Sequence, residues 1–360
     1  MPFASSLIAL PWRDRAGRFS PLKAAVFAAT LIPAVLLAIA LLRAFGPAAA
    51  PGLGQGVIGG PGIGGPGIGD PGIGCPALPS PLPPAGGAGI GGPALGNSAL
   101  GGPLESPFGL GARPYTEAIH VAGDWAIRFL LAALAVTPLA RFARRPKLVG
   151  LRRMLGLAAL FYALAHLGLY VADQSFSLSR VAGEIASRVY LAVGFVALLG
   201  LCALGVTSTD AAIRRMGRAW RRLHALVHPI TALALLHYFM QVKVDVTTPA
   251  LHAGLYLFLV GLRLAVRLRF SPGILVTLVV AVLAAPATAA VEAVWYAAAT
   301  AVDPARVLEA NLMLDPVLGL RPAQATFACG VAFAGLAAAL SWRGTAGRPA
   351  SRDAGSGRRA

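Results

Sequence analysis

WRRLHALVHPITALALLHY, residues 220–238, decides the fold. It is an apolar, membrane-length stretch that carries three histidines, His224, His228 and His237. A second apolar run, LAALFYALAHLGLYV at 157–171, carries His166. An imidazole inside a bilayer is costly unless something engages it, so each of these histidines is a candidate functional residue. Histidine is also a common axial ligand of haem iron. Two membrane helices clamping a haem, in a protein that moves electrons, is the first reading these runs support.

Composition places the runs in context. The chain of 360 residues is 57% hydrophobic and 12% charged, against roughly 25% charged in soluble domains. That excludes an ordinary soluble globule and indicates an all-α membrane protein with several spans. The net charge of +17 is gathered in short clusters between apolar runs, without aromatic interleaving. Membrane orientation explains it better than nucleic acid does. Cys75, Cys202 and Cys329 lie far apart with no CxxC or CxxCH, so a zinc site, an iron–sulfur cluster and covalent haem attachment are all unsupported. Haem here is expected to be b-type, held without covalent bonds.

In chain order, residues 1–23 read as a basic cytoplasmic lead and 24–45 as a first transmembrane helix. A signal peptide cleaved near Ala48–Ala50 is the competing reading, but the apolar run exceeds the usual signal core. Residues 46–120 form a Gly/Pro-rich, low-complexity loop with tandem units PGIGG, PGIGD and PGIGC at 61–75. Such a segment has high chain entropy and few large apolar groups. Gly54, Gly56 and Gly59 spell GxGxxG there, with no strand before and no helix after, so no dinucleotide site is inferred. Further apolar spans are expected at about 121–140, 154–172, 189–206, 223–241, 250–268, 273–300 and 324–342. Residues 121–269 hold the candidate histidines, 270–342 an extra helix pair, and 343–360 a basic tail. The Arg-rich loops alternate with poorer ones, which puts both termini in the cytoplasm and the 46–120 loop on the outer side.

This topology sets the depth of each histidine. His166 and His237 fall near the outer leaflet on two helices, where they can face one another across a haem. His224, roughly 20 Å below His237 at 1.5 Å per residue, falls near the inner leaflet, level with Arg152. That arginine can pair with a haem propionate or a flavin phosphate, or act as a membrane anchor. On one continuous helix His224 and His237 would point about 140° apart, unless Pro229 between them alters the phase. His228, one turn after His224, lacks the partners of a metal pair. His120 and His252 begin helices and read as interfacial.

Several runs carry a further resemblance. AGDWAIRFLLAALAVTPLARFARRP (122–146), RRMLGLAALFYALAH (152–166), TSTDAAIRRMGRAWRRLHALVH (207–228) and LLHYFM (235–240) resemble the ferric-reductase-like membrane family. Within it they are similar to the MsrQ (YedZ) group, the haem-binding membrane subunits of a periplasmic protein-methionine-sulfoxide reductase system. The similarity covers about residues 115–269. It implies a six-helix ferric-reductase-like haem b bundle, here followed by two extra transmembrane helices. It also implies electrons drawn from the quinone pool, FMN as a further cofactor, and a separate periplasmic molybdopterin-containing catalytic subunit. Carried over by motif, the iron ligands are His166, His224 and His237. His228 stands where the resemblance leads one to expect tyrosine.

Two rival functions remain at this point. One keeps the haem and changes the acceptor, as in a ferric or other reductase. The other is a haem-free transporter or anchor, although no internal repeat of the kind common in transporters is visible. The chain carries no nucleotide-binding or soluble catalytic domain of its own, so chemistry on a substrate is expected on a partner.

Overall fold

A computed structural model of the chain describes residues 20–45, 113–242, 245–314 and 319–345. The PGIGx repeat, the GxGxxG glycines, Cys75 and most of the lead and tail lie outside the described residues. Among the described residues the regular structure is helical throughout, with no strand. The long helices are α1 (Pro21–Phe45), α2 (Pro114–Phe142), α3 (Leu151–Asp173), α5 (Val189–Val206), α8 (Val227–Gln241), α9 (Thr247–Arg267), α10 (Ile274–Ala299) and α12 (Pro322–Thr345). Shorter helices are α4 (Leu178–Ser187), α6 (Asp210–Met216), α7 (Arg218–Ala225) and α11 (Pro304–Leu312). Eight of the helical segments are long and apolar enough to cross a membrane, with α7 and α8 together supplying one. The chain is a multi-pass membrane protein. Large apolar side chains such as Phe161, Val196, Leu283 and Leu336 point outward, as lipid-facing residues must.

Boundary chemistry is visible at the ends. Proline opens α2, where its missing amide hydrogen costs nothing. This helix begins seven residues before the expected span and takes in part of what read as loop. Asp303 caps α11 through the Ala305 amide at 2.9 Å, and Thr209 caps α6 through Ala212 at 3.1 Å. Gly217 joins α6 to α7 at φ 52, a left-handed conformation that glycine adopts without steric penalty.

The helix that carries three histidines is broken. α7 ends at Ala225, Leu226 forms a tight turn to Leu223, and α8 starts at Val227. Pro229 has no N–H to give to Ala225, so the ladder cannot run through this point. His224 and His237 therefore sit on α7 and α8, two helices joined at Leu226 within one span.

α2 is the spine of the bundle, packing against α3, α8, α9 and α12. α1 docks on this spine and on α3, where the buried Tyr162 hydroxyl donates to the Thr30 carbonyl at 2.8 Å. The expected division between 121–269 and 270–342 is not a break in packing. One buried cluster joins Leu134, Phe258 and Leu262 to Ala281, Ala284 and Ala337. Helices α9, α10 and α12 approach closely at Gly254, where a methyl group would overlap the Thr288 and Thr326 hydroxyls.

A polar pin closes one end of this trio. Glu292, fully buried on α10, accepts from Asn311 Nδ2 at 2.8 Å and faces Arg321 at 3.8 Å. Asn311 Oδ1 in turn accepts from the Ala323 amide at 3.2 Å. Glu292→Ala would leave Asn311 Nδ2 without its charged acceptor, and the expected loss is about 2 kcal/mol of stability. Thermal unfolding of the detergent-purified chain checks it.

At the opposite end Arg153 Nη1 meets Asp210 Oδ1 at 2.8 Å, and Arg145 Nε donates to the Leu340 carbonyl at 3.0 Å. The arginine-rich connections thus share one end of the bundle, here termed the basic end.

Candidate functional site

The site lies at the end away from the arginines, where α2 and α5 begin and α3 and α8 finish. His166 reaches in from α3 and His237 from α8. Their ring centroids stand 6.3 Å apart with planes at 90°. Each ring is fixed in the same way. His166 Nδ1 bonds the Ile119 carbonyl at 2.8 Å, and His237 Nδ1 bonds the Tyr190 carbonyl at 2.8 Å. A carbonyl can only accept, so Nδ1 carries the proton in both rings and Nε2 keeps its lone pair.

Both hydrogen bonds span 47 residues, and a glycine follows each accepting carbonyl by one helical turn. A methyl group on Gly123 would stand 3.0 Å from His166 Nδ1, and one on Gly194 would stand 2.6 Å from His237 Nδ1. Each imidazole therefore lies against bare helix backbone. α2 with α3, and α5 with α8, repeat one device.

Between the rings is a cavity of about 200 Å³. Its deeper wall is apolar, with Leu130, Ala163, Ala197, Leu201 and Ala234, while Asp124, Tyr170, Tyr190 and Gln241 add polar groups nearer the helix ends. A metal held between two opposed imidazoles at about 2 Å from each nitrogen separates the ring centroids by roughly 6 Å. The observed spacing fits that arrangement. Among the described residues no three His, Cys, Asp or Glu side chains gather, so a bare ion has no sufficient ligand set. An iron already held by a macrocycle needs only the axial pair.

The other expected ligands are elsewhere. His224 faces the basic end, its ring stacked on Trp220 at 4.0 Å and its Nε2 bonded to Thr207 Oγ1 at 3.1 Å. Trp220 Nε1 donates to the Thr207 carbonyl at 2.9 Å, which fixes that stack. Arg152, half-buried on α3, is near enough to act on His224 electrostatically. His228 takes no part in a metal pair. Its Nε2 accepts from Arg263 Nη1, while Arg263 Nη2 donates to the Leu134 carbonyl at 2.8 Å. His252, near the start of α9, is buried, with Nδ1 bonded to the Thr248 carbonyl at 2.8 Å and its ring 6.0 Å from Tyr238. Its helix starts earlier than the apolar run suggests and turns this position toward α8.

Comparison with known proteins now bears on this geometry. Residues 122–236 match the family described as ferric reductase like transmembrane component. That range contains His166 and His224 and ends one residue before His237. A protein-methionine-sulfoxide reductase heme-binding subunit MsrQ from Xanthomonas oryzae pv. oryzae (strain MAFF 311018) is 46% identical over 155 residues, which is 43% of this chain and 71% of the relative. The protein of the same name from Xanthomonas campestris pv. campestris (strain 8004) is 46% identical over 160 residues, 44% of this chain and 73% of the relative.

The chain belongs to the MsrQ family.

Most of an MsrQ relative's length thus maps onto less than half of this chain. No solved structure matches it. The glycines that seat the two imidazoles, and the carbonyls of Ile119 and Tyr190, are parts of the candidate site that sequence reading missed. Backbone carbonyls carry no residue signature. The glycines had one available signal, since each interrupts an apolar membrane helix at the same distance before a histidine.

Proposed function

We propose that this chain is the haem-binding membrane subunit of a protein-methionine-sulfoxide reductase, with His166 and His237 as the axial pair of a haem b. The observation that supports it is the pair of imidazoles whose ring centroids stand 6.3 Å apart at the cavity, each with Nδ1 tied to a helix carbonyl. When bound, haem supplies one-electron redox chemistry. The Ile119 and Tyr190 carbonyls hold the ligand tautomers and make the rings better donors. Gly123 and Gly194 let the rings reach their places. The apolar wall from Leu130 to Ala234 keeps water from the buried side.

The reading continues beyond the site. Electrons come from the quinone pool and leave toward a separate periplasmic molybdopterin-containing catalytic subunit, where methionine sulfoxide in oxidised proteins is reduced. The protein lies in the bacterial inner membrane with both termini in the cytoplasm, and its ligand end faces the periplasm. FMN is a proposed further cofactor. His224 and Arg152 are proposed as an inner cofactor-binding pair, for which His224 offers Nδ1 while Nε2 stays on Thr207. His224→Ala is expected to preserve the spectrum of the outer pair. Haem per chain, counted by pyridine haemochrome, then measures what the inner end adds.

Reconstitution tests the electron path. In proteoliposomes with a quinol, the haem absorbance is expected to show reduction. It should reoxidise only when the molybdopterin subunit and a sulfoxide-bearing protein are both added. Reoxidation by ferric citrate alone, at the same rate, would favour the ferric-reductase reading instead.

A further inference from the structure

We propose that Asp124 sets the reduction potential of the site, its carboxylate favouring the oxidised haem and so making the reduced haem a stronger electron donor. This rests on the reading that haem lies between His166 and His237. Asp124 follows Gly123 on α2 and is the one acidic side chain among the described residues lining the cavity, which no lysine or arginine lines. Its carboxylate lies near enough to the hydroxyl of Tyr238, the neighbour of His237, for the two to interact. It also faces Arg128 Nη2 at 3.8 Å, one turn along the same helix.

The two charges of that pair do not cancel at the cavity. The Arg128 side chain is 45% exposed, against 27% for Asp124, and its guanidinium rests over the Trp125 ring at 5.1 Å, off the cavity wall. Solvent screens the arginine more than the carboxylate. Behind Tyr238, His252 is buried with Nδ1 donating to its own helix; it adds ring packing and no opposing hydrogen bond to the carboxylate. A fixed negative charge beside apolar walls acts through a low dielectric. Adding an electron to the site is then less favourable than it would be beside a neutral amide. The Tyr238 hydroxyl and Arg128 hold the carboxylate in place and soften its effect.

The test is a spectroelectrochemical titration of the purified, haem-loaded full chain in wild type, Asp124→Asn, Asp124→Glu and Arg128→Gln. Asp124→Asn is expected to raise the midpoint potential, Asp124→Glu to stay near wild type, and Arg128→Gln to lower it by a smaller amount. A purely structural role for Asp124 would not give opposite signs in the asparagine and Arg128 variants. An unchanged or lowered potential in Asp124→Asn, with haem content intact, overturns the proposal. Should that variant fail to load haem, Arg128→Gln decides: a lowered potential supports the proposal, and an unchanged or raised one overturns it. A well-folded wild type without haem refutes the axial-pair reading itself and takes this inference with it, an outcome distinct from haem present at an unmoved potential.

Discussion

Replacing His237 with alanine is expected to weaken haem binding by at least about 100-fold, and His166→Ala to do the same, because each change removes one of two axial ligands; even indirect supports of a metal site are commonly worth 10–100-fold. The equality follows from the geometry. Both rings are seated by one carbonyl at 2.8 Å and one glycine, so neither ligand is the minor one. The check is pyridine haemochrome stoichiometry on purified variants, with circular dichroism to confirm that the helices persist. His228→Ala belongs in the same series as a control, since its ring meets Arg263 and Tyr256 and lies away from the cavity. Its haem content is expected to match wild type.

The second large effect comes from a single methyl group. Gly194→Ala would place Cβ within 2.6–2.9 Å of three atoms of the His237 ring. Neither helix backbone nor a ring held by its carbonyl can absorb that overlap without moving, and a displaced ring no longer presents Nε2 to the iron. Haem affinity is expected to fall by about 10–100-fold, the range for lost support around a metal site. Gly123→Ala meets His166 at 3.0–3.3 Å and is expected to fall less. Haem titration into apoprotein reads the difference. Equal affinity in all three proteins would show that the rings are not seated against these glycines.

The spans were legible because membrane crossing demands long apolar runs, and all eight appear in the structure. Two ligand candidates at matched depth were legible for a related reason, since imidazoles stand out against such runs. What stayed hidden was governed by local backbone events. Pro229 is readable in the sequence, but that the ladder breaks at Leu226 is not. His252 lies near the start of its apolar run, and its burial beside Tyr238 depends on how α9 packs against α8. Glu292 on α10, Asn311 on α11 and Arg321 just before α12 come together, and nothing local in any of the three segments announces the others. Asp124 was present in the AGDW run, but its position on the cavity wall depends on how α2 turns against α8.

The central claim is one haem iron between two imidazoles whose planes are perpendicular. Electron paramagnetic resonance of the oxidised, purified chain addresses it most directly. The account predicts a low-spin ferric signal of the strongly anisotropic kind that crossed axial imidazoles produce, absent in His166→Ala and His237→Ala. A high-spin signal in intact, well-folded protein, or no haem signal at all, would contradict it.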